Sequence, residues 1–106
     1  MAWILLIIAG LLEVVWAVAM KQSDGFTRLG PSALMLAAMV ASFALLAWAM
    51  RTLPLGTAYS VWTGIGAVGA FLVGVMALGE AANALRILAA VLIVGGLVLM
   101  KVSSPS

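Results

Sequence analysis

The chain has 106 residues, of which 67% are hydrophobic and only 8% are charged, and its mean hydropathy is +1.34. This composition excludes an ordinary soluble domain and predicts a membrane protein. Its net charge of +2 comes from only five basic and three acidic residues, and with no cysteine or histidine it has few ligands for a metal or haem. We therefore expect no cofactor, no metal, no nucleic-acid partner and no enzymatic activity.

Four apolar runs follow one another, and they predict four transmembrane helices at about residues 3–20, 31–50, 57–78 and 85–100 of a single transmembrane domain, residues 1–106. Three runs are long enough for the roughly 30 Å hydrocarbon core, which needs about 20 helical residues. The fourth is shorter, but Arg86 and Lys101 at its ends can extend to the two interfaces. None of the runs alternates as a barrel strand does, so the predicted fold is all-α.

The first run begins MAWILLIIAG, which has no basic residue before it and is read as a helix rather than a signal peptide. Glu13 lies near its middle, whereas the other charged residues fall at helix ends or in turns. An ionisable group at the bilayer centre is costly and normally faces a cavity on an ion or proton path. The alternative is a protonated glutamic acid that makes a structural bond between helices.

Helical spacing groups Glu13 with small residues and with Trp16 on one face of the first helix. Trp16 lies deeper than a tryptophan of the interfacial belt, which is where Trp3 is expected. It either packs between helices or donates to Glu13 and forms a wall for a cation.

The second and third helices supply further polar candidates. Ser42 is the only polar side chain in the middle of helix two, and it either lines the site or bonds the backbone of its own helix. On helix three, spacings of three and four place Tyr59, Trp62, Thr63 and Gly66 on one polar and aromatic face. This face is either a site lining or helix packing, and Tyr59 is near enough to the end to be a belt residue.

Small residues on the last two helices have two interpretations as well. Gly64 and Gly66 either permit close helix packing or form a hinge that lets the two ends of helix three move separately. Ala89 and Gly96 on helix four are seven residues apart on one face, and they predict a contact between subunits.

The basic residues are almost evenly divided between the two sides of the membrane. Arg51, Lys101 and the terminal amine lie on one side, and Lys21, Arg28 and Arg86 lie on the other. Since loop charge normally fixes orientation, this balance permits insertion in both directions and hence an antiparallel dimer. Four short helices hardly enclose a solute path, and residues 57–100 hold no acidic counterpart of Glu13. A second, inverted copy supplies the missing half of an inverted repeat.

The segments GLLEVVWAVAMK, GFTRLGPS and LPLGTAYSVWTGIGAVGA stand in an order and spacing that resemble the small multidrug resistance family over nearly the whole chain. This resemblance implies an antiparallel homodimer in a bacterial inner membrane that exchanges protons for a small organic cation by alternating access. It also implies that Glu13 binds proton and substrate in turn, and that Tyr59, Trp62, Gly64 and Gly66 match the family's helix-three residues.

Trp16 and the run Trp62–Ala67 resemble the guanidinium exporter branch, since the drug exporters usually have a small residue in place of Trp16. The resemblance implies that Trp16 and Ser42 orient Glu13, and that the partners are guanidinium or a small guanidinyl cation, protons, the lipid bilayer and a second copy of the chain. The alternatives are an exporter of quaternary ammonium or polyaromatic cations, and a structural or accessory membrane protein that transports nothing.

Overall fold

The structure is a computed structural model and describes residues 1–103. It contains four α-helices: α1 (Ala2–Gln22), α2 (Leu29–Ala49), α3 (Leu55–Ala77) and α4 (Ala84–Ser103). Each is long and apolar enough to cross a membrane. The prediction of an all-α chain with four membrane-spanning helices is confirmed.

The helix ends differ from the predicted ones by one to three residues. Pro31 was expected at the first position of helix two, but α2 begins at Leu29, so the proline is the third residue of that helix. Its missing N–H is still harmless there because the first turn has no partner for it. Helix α4 starts at Ala84 because the Asn83 Oδ1 accepts the Arg86 N–H at 2.9 Å and caps the helix.

The loop between α1 and α2 is held by its own side chains. The Ser23 hydroxyl donates to the Met20 carbonyl at 2.7 Å and accepts the Phe26 N–H at 3.1 Å. Asp24, Gly25 and Phe26 all have positive φ angles, of 51°, 70° and 69°. This reversal brings α2 back against α1 after only a few residues.

The buried apolar core lies toward the end of the bundle that holds residues 50–54. It joins α1, α2 and α3, and its members are Leu6, Ala9, Leu46, Ala49, Leu53, Ala58, Val61 and Trp62. Helix α1 packs against both α2 and α3. Ala9 and Trp62 of this core also bond Ser42, which lies between them on α2.

Helix α4 is the outlying element, since it packs mainly on α3 and buries none of its residues. Gly64 makes that contact close, because a Cβ at this position would lie 2.6 Å from Leu97 Cδ2. At the end of α4, the Lys101 ammonium lies 4.9 Å from the centre of the Trp3 ring. The Cα atoms extend over 43 × 35 × 16 Å, so the subunit is a thin slab with most of α4 uncovered.

Candidate functional site

Glu13 lies near the middle of α1 and is half-buried against α3. Its side chain occupies the space in which a Cβ on Gly66 would stand, so the glycine is what lets the carboxyl group lie against the α3 backbone. Oε1 is buried and has no hydrogen-bond partner among residues 1–103. In the same residues the only ion pair joins Arg86 to Glu80, at 3.5 Å. Glu13 is therefore a carboxyl group in the membrane with no protein cation to neutralise it.

A hydrogen-bonded chain next to Glu13 ties three helices together. The Trp62 Nε1–H donates to the Ser42 hydroxyl at 3.0 Å, and that hydroxyl donates to the Ala9 carbonyl at 2.7 Å. Ser42 is fully buried and Trp62 is 7% exposed. Buried polar atoms need partners, and these two hydrogen bonds supply them across α3, α2 and α1.

These hydrogen bonds change two expectations for Ser42. The hydroxyl bonds the backbone of α1, so the expectation that it bonds its own helix is wrong. It also makes no hydrogen bond to Glu13 in the described part of the chain. Ala9 lies one helical turn before Glu13, so the contact fixes the α1 backbone beside the carboxyl group. Ser42 can therefore act on the position of Glu13 through that backbone.

Four aromatic rings form a continuous array over the same three helices. The Trp16 and Phe43 ring centres are 6.2 Å apart at an interplanar angle of 72°, and Phe43 and Trp62 are 5.6 Å apart at 57°. Tyr59 follows at 5.7 Å from Trp62. The three ring separations and the interplanar angles fall in the favourable range for aromatic pairs. Trp16 of this array lies three residues after Glu13 on α1, and Trp62 lies four residues before Gly66, the glycine that Glu13 contacts.

Phe43 joins the rings of α1 to those of α3, and the sequence reasoning missed it. A signal was available, since Phe43 follows directly after Ser42, the one polar side chain in the middle of helix two. The residue is 47% exposed, so it can contact both Trp16 and a molecule outside the subunit.

Trp16 lies in the array, but its indole N–H is not bonded to Glu13. Nε1 is buried and, like Glu13 Oε1, has no partner within residues 1–103. A buried donor and a buried acceptor therefore stand three residues apart on α1, both free to bond a ligand or a rotated neighbour. The expectation of a Trp16 to Glu13 hydrogen bond stays a prediction for another state of the protein.

The remaining sequence candidates lie in different places. Helix α3 is continuous through Gly64 and Gly66, which contact Leu97 and Glu13 respectively, so close packing is the role visible in this conformation. Ala89 and Gly96 lie outside the site on exposed α4, and a Cβ at Gly96 would meet no atom within 4 Å. The structure thus brings Glu13, Trp16, Ser42, Tyr59, Trp62 and Gly66 together and leaves the two α4 residues apart.

No group of three or more potential metal ligands occurs in the described residues. The site offers one carboxyl group and aromatic faces, which suit a proton or a small organic cation, and the Trp16 indole N–H, which can donate to a carboxylate. Fold and site together define a multi-pass membrane protein with a carboxyl group held between two of its helices.

Comparison with known proteins identifies the family. The chain belongs to the Small Multidrug Resistance protein family, whose model matches residues 1–103. It is 60% identical over 104 residues to proteins named Guanidinium exporter from Citrobacter freundii and Salmonella typhimurium, with 98% of this chain and 99% of theirs aligned. A protein of the same name from Escherichia coli K12 is 59% identical over the same length.

Proposed function

We propose that this protein exports guanidinium across the bacterial inner membrane in exchange for protons. The observation that carries the proposal is the half-buried Glu13 carboxyl group, which has no protein cation beside it and lies close to the aromatic array. Full-length relatives named Guanidinium exporter support guanidinium as the substrate.

Guanidinium suits this site because of its shape. It is flat and presents N–H groups in a fork that a carboxylate accepts in bidentate geometry, as it does from an arginine side chain. Its face can lie on the rings of Trp16, Trp62 and Tyr59. A quaternary ammonium ion can use the rings but has no N–H for the carboxylate.

Exchange follows if proton and cation compete for the same carboxyl group. Guanidinium binds the charged carboxylate, and a proton binds the same oxygen atoms and neutralises it, so the two ligands exclude each other. Cation binding then requires loss of the proton, and proton binding releases the cation. An inward proton gradient therefore drives export of the cation.

The shape of the subunit supports an antiparallel homodimer. A slab about 16 Å thick cannot surround a solute path, and α4 leaves most of its apolar surface uncovered. A second, inverted copy of the chain would close the path around two copies of Glu13, in the manner of inverted repeats. We assign the contact between α4 helices to Ala89 and Gly96, whose small side chains allow close approach.

We assign the movement between the two access states to α3. Gly64 and Gly66 lack the side chains that would lock α3 to Leu97 and Glu13, so the helix can bend or slide at these positions. Trp16, Ser42, Tyr59 and Trp62 line the site and keep Glu13 oriented during the exchange.

The experiment that tests the proposal is proton release from purified protein in weakly buffered detergent on addition of guanidinium. We expect release from the wild type, none from Glu13→Gln, and near wild-type release from Glu80→Gln, which removes an exposed carboxyl group. Release with a bulky aromatic cation in place of guanidinium would identify a drug exporter. No release with either cation would return Glu13 to a structural role and refute the exchange mechanism.

Dual topology has its own test. Adding one arginine after Lys101 biases the charge balance toward one orientation. We expect a uniformly oriented population with reduced transport, rescued by coexpression with a variant biased in the opposite direction. Full transport by a uniformly oriented population would contradict antiparallel pairing.

A further inference from the structure

Helix α3 carries two hydroxyl groups that the exchange mechanism above does not use. Ser60 and Thr63 are one turn apart, and both are exposed on the subunit. They line a cleft of about 350 Å³ between α3 and α4, together with Tyr59, Gly64, Ala67 and Ile93. The cleft is shallow and lined mainly by apolar atoms, and Tyr59, Ser60 and Thr63 supply hydroxyl groups on its α3 side.

Neither hydroxyl has a hydrogen-bond partner in the part of the chain that the structure describes. Ser32 and Ser103 differ, since their hydroxyls donate to carbonyls of the preceding turn at 2.6 and 3.4 Å. That back-bonding is the ordinary way for a membrane helix to satisfy a serine. A hydroxyl left without any partner in hydrocarbon is costly, so Ser60 and Thr63 are poorly suited to face lipid. Their oxygens call for a polar group beside them, from a bound molecule or from the second copy of the chain.

Tyr59 belongs both to the cleft and to the aromatic array of the candidate site. Its ring packs 5.7 Å from Trp62 in the aromatic array and also lines the cleft, and 53% of the residue is exposed. Thr63 follows Trp62 in sequence and precedes Gly66, the contact of Glu13, by less than one turn. The hydroxyl groups of the cleft and the Glu13 contact therefore lie within about two helical turns of each other along α3.

The chemistry of guanidinium explains why acceptors matter here. The ion has N–H donors on every edge of its plane, and one carboxylate engages a single edge. The indoles of Trp16 and Trp62 only donate, and the Ser42 hydroxyl already bonds Ala9 and Trp62. Glu13 is thus the main acceptor on the inner side of the array, and the ion's other N–H groups need acceptors elsewhere.

We propose that this cleft is a second guanidinium subsite on the route to Glu13, and this proposal rests on the proposed function. In the subsite, Tyr59, Ser60 and Thr63 accept N–H groups of the cation. The subsite holds the ion one to two helical turns from Gly66 while its bond to Glu13 forms or breaks. It favours cations with N–H groups, because a quaternary ammonium ion gains nothing from the three hydroxyl oxygens. The cleft is therefore a selectivity element outside the shared carboxyl group.

The first test compares matched variants of Thr63 in guanidinium transport. Thr63→Val keeps the side-chain shape and removes the hydroxyl, whereas Thr63→Ser keeps the hydroxyl. We expect the apparent KM for guanidinium to rise about threefold to tenfold in Thr63→Val and in Ser60→Ala, which corresponds to the loss of one hydrogen bond in a membrane protein. In Thr63→Ser we expect the KM to stay near the wild-type value.

Stability measurements on the same variants distinguish a binding role of these hydroxyl groups from a structural one. Since neither hydroxyl bonds within the subunit, we expect Thr63→Val to unfold at the same fraction of dodecyl sulfate as the wild type. Lower stability together with a raised KM, or an unchanged KM, would overturn the subsite. A wild type that releases no protons with guanidinium would instead refute the proposed function, so the two failures are distinguishable.

The second test uses the natural absence of cysteine from the chain. A small cationic thiol reagent added to protein in vesicles should modify Ser60→Cys and Thr63→Cys, and guanidinium should slow the reaction. Leu11→Cys is the matched control, because this exposed residue lies on the opposite face of α1 from Glu13 at similar depth. Equal rates at all three positions, or no modification of residues 60 and 63, would overturn the proposal.

Discussion

Replacing Ser42 by alanine removes the link that joins α3 to α1. The variant loses the bond from the Trp62 indole at 3.0 Å and the bond to the Ala9 carbonyl at 2.7 Å. The Ala9 carbonyl still accepts its ordinary helical bond, whereas the indole N–H of the buried Trp62 is left without an acceptor. The cost is therefore larger than that of an exposed serine.

The expected magnitude follows from these two losses. Interhelical hydrogen bonds in membrane proteins contribute about 0.6 kcal/mol each on average and about 1.7 at most. A buried donor left unpaired costs about 1–3 kcal/mol. We expect Ser42→Ala to reduce the free energy of unfolding by about 1–3 kcal/mol, which is about fivefold to 150-fold in the equilibrium constant.

The assay is unfolding by dodecyl sulfate in mixed micelles, followed by tryptophan fluorescence and circular dichroism. Ser32→Ala is the matched control, because its hydroxyl donates to the Arg28 carbonyl in the first turn of α2, where water can replace it. We expect the control to change stability by less than about 0.5 kcal/mol. Equal losses for Ser42→Ala and Ser32→Ala would refute the reasoning.

Three further predictions concern Glu13 and the small residues. Gly66→Ala should weaken guanidinium binding by about 1–3 kcal/mol, because the new Cβ displaces the Glu13 carboxyl group. The control Gly95→Ala should have little effect, since its Cβ meets no atom. Calorimetric titration measures both affinities. Guanidinium affinity should rise with pH, by up to about tenfold per pH unit, since binding must displace a proton, and Glu13→Gln should abolish binding at every pH. Gly96→Leu should reduce the dimer seen by cross-linking in bilayers, because it fills the proposed contact, and Gly95→Leu on the neighbouring face should reduce it less.

Each of these predictions has an outcome that would contradict it. Equal guanidinium affinities in Gly66→Ala and Gly95→Ala would mean that Glu13 is not held against α3 in the binding state. An affinity that does not change with pH would separate cation binding from proton release. Undiminished cross-linking of Gly96→Leu would place the contact between subunits on another face.

The sequence by itself determined the number, type and order of the helices. Apolar runs about 20 residues long permit few structures in a bilayer, because backbone groups there must be paired within each helix. It also singled out Glu13, since a lone carboxyl group in such a run is costly and normally marks a functional site. Helical spacing placed Trp16 near it, and Tyr59 and Trp62 on another shared face.

Only the tertiary structure decided which atoms meet. Periodicity gives the face of a helix but not the partner it packs against, so it could not predict that Ser42 bonds the Ala9 carbonyl or that Phe43 joins Trp16 to Trp62. Spacing placed Thr63 on the same face as Trp62, yet packing buries Trp62 and leaves Thr63 exposed in a cleft beside α4. These differences arise because helix rotation and approach are set by small local volumes, here Gly64 against Leu97 and Gly66 against Glu13.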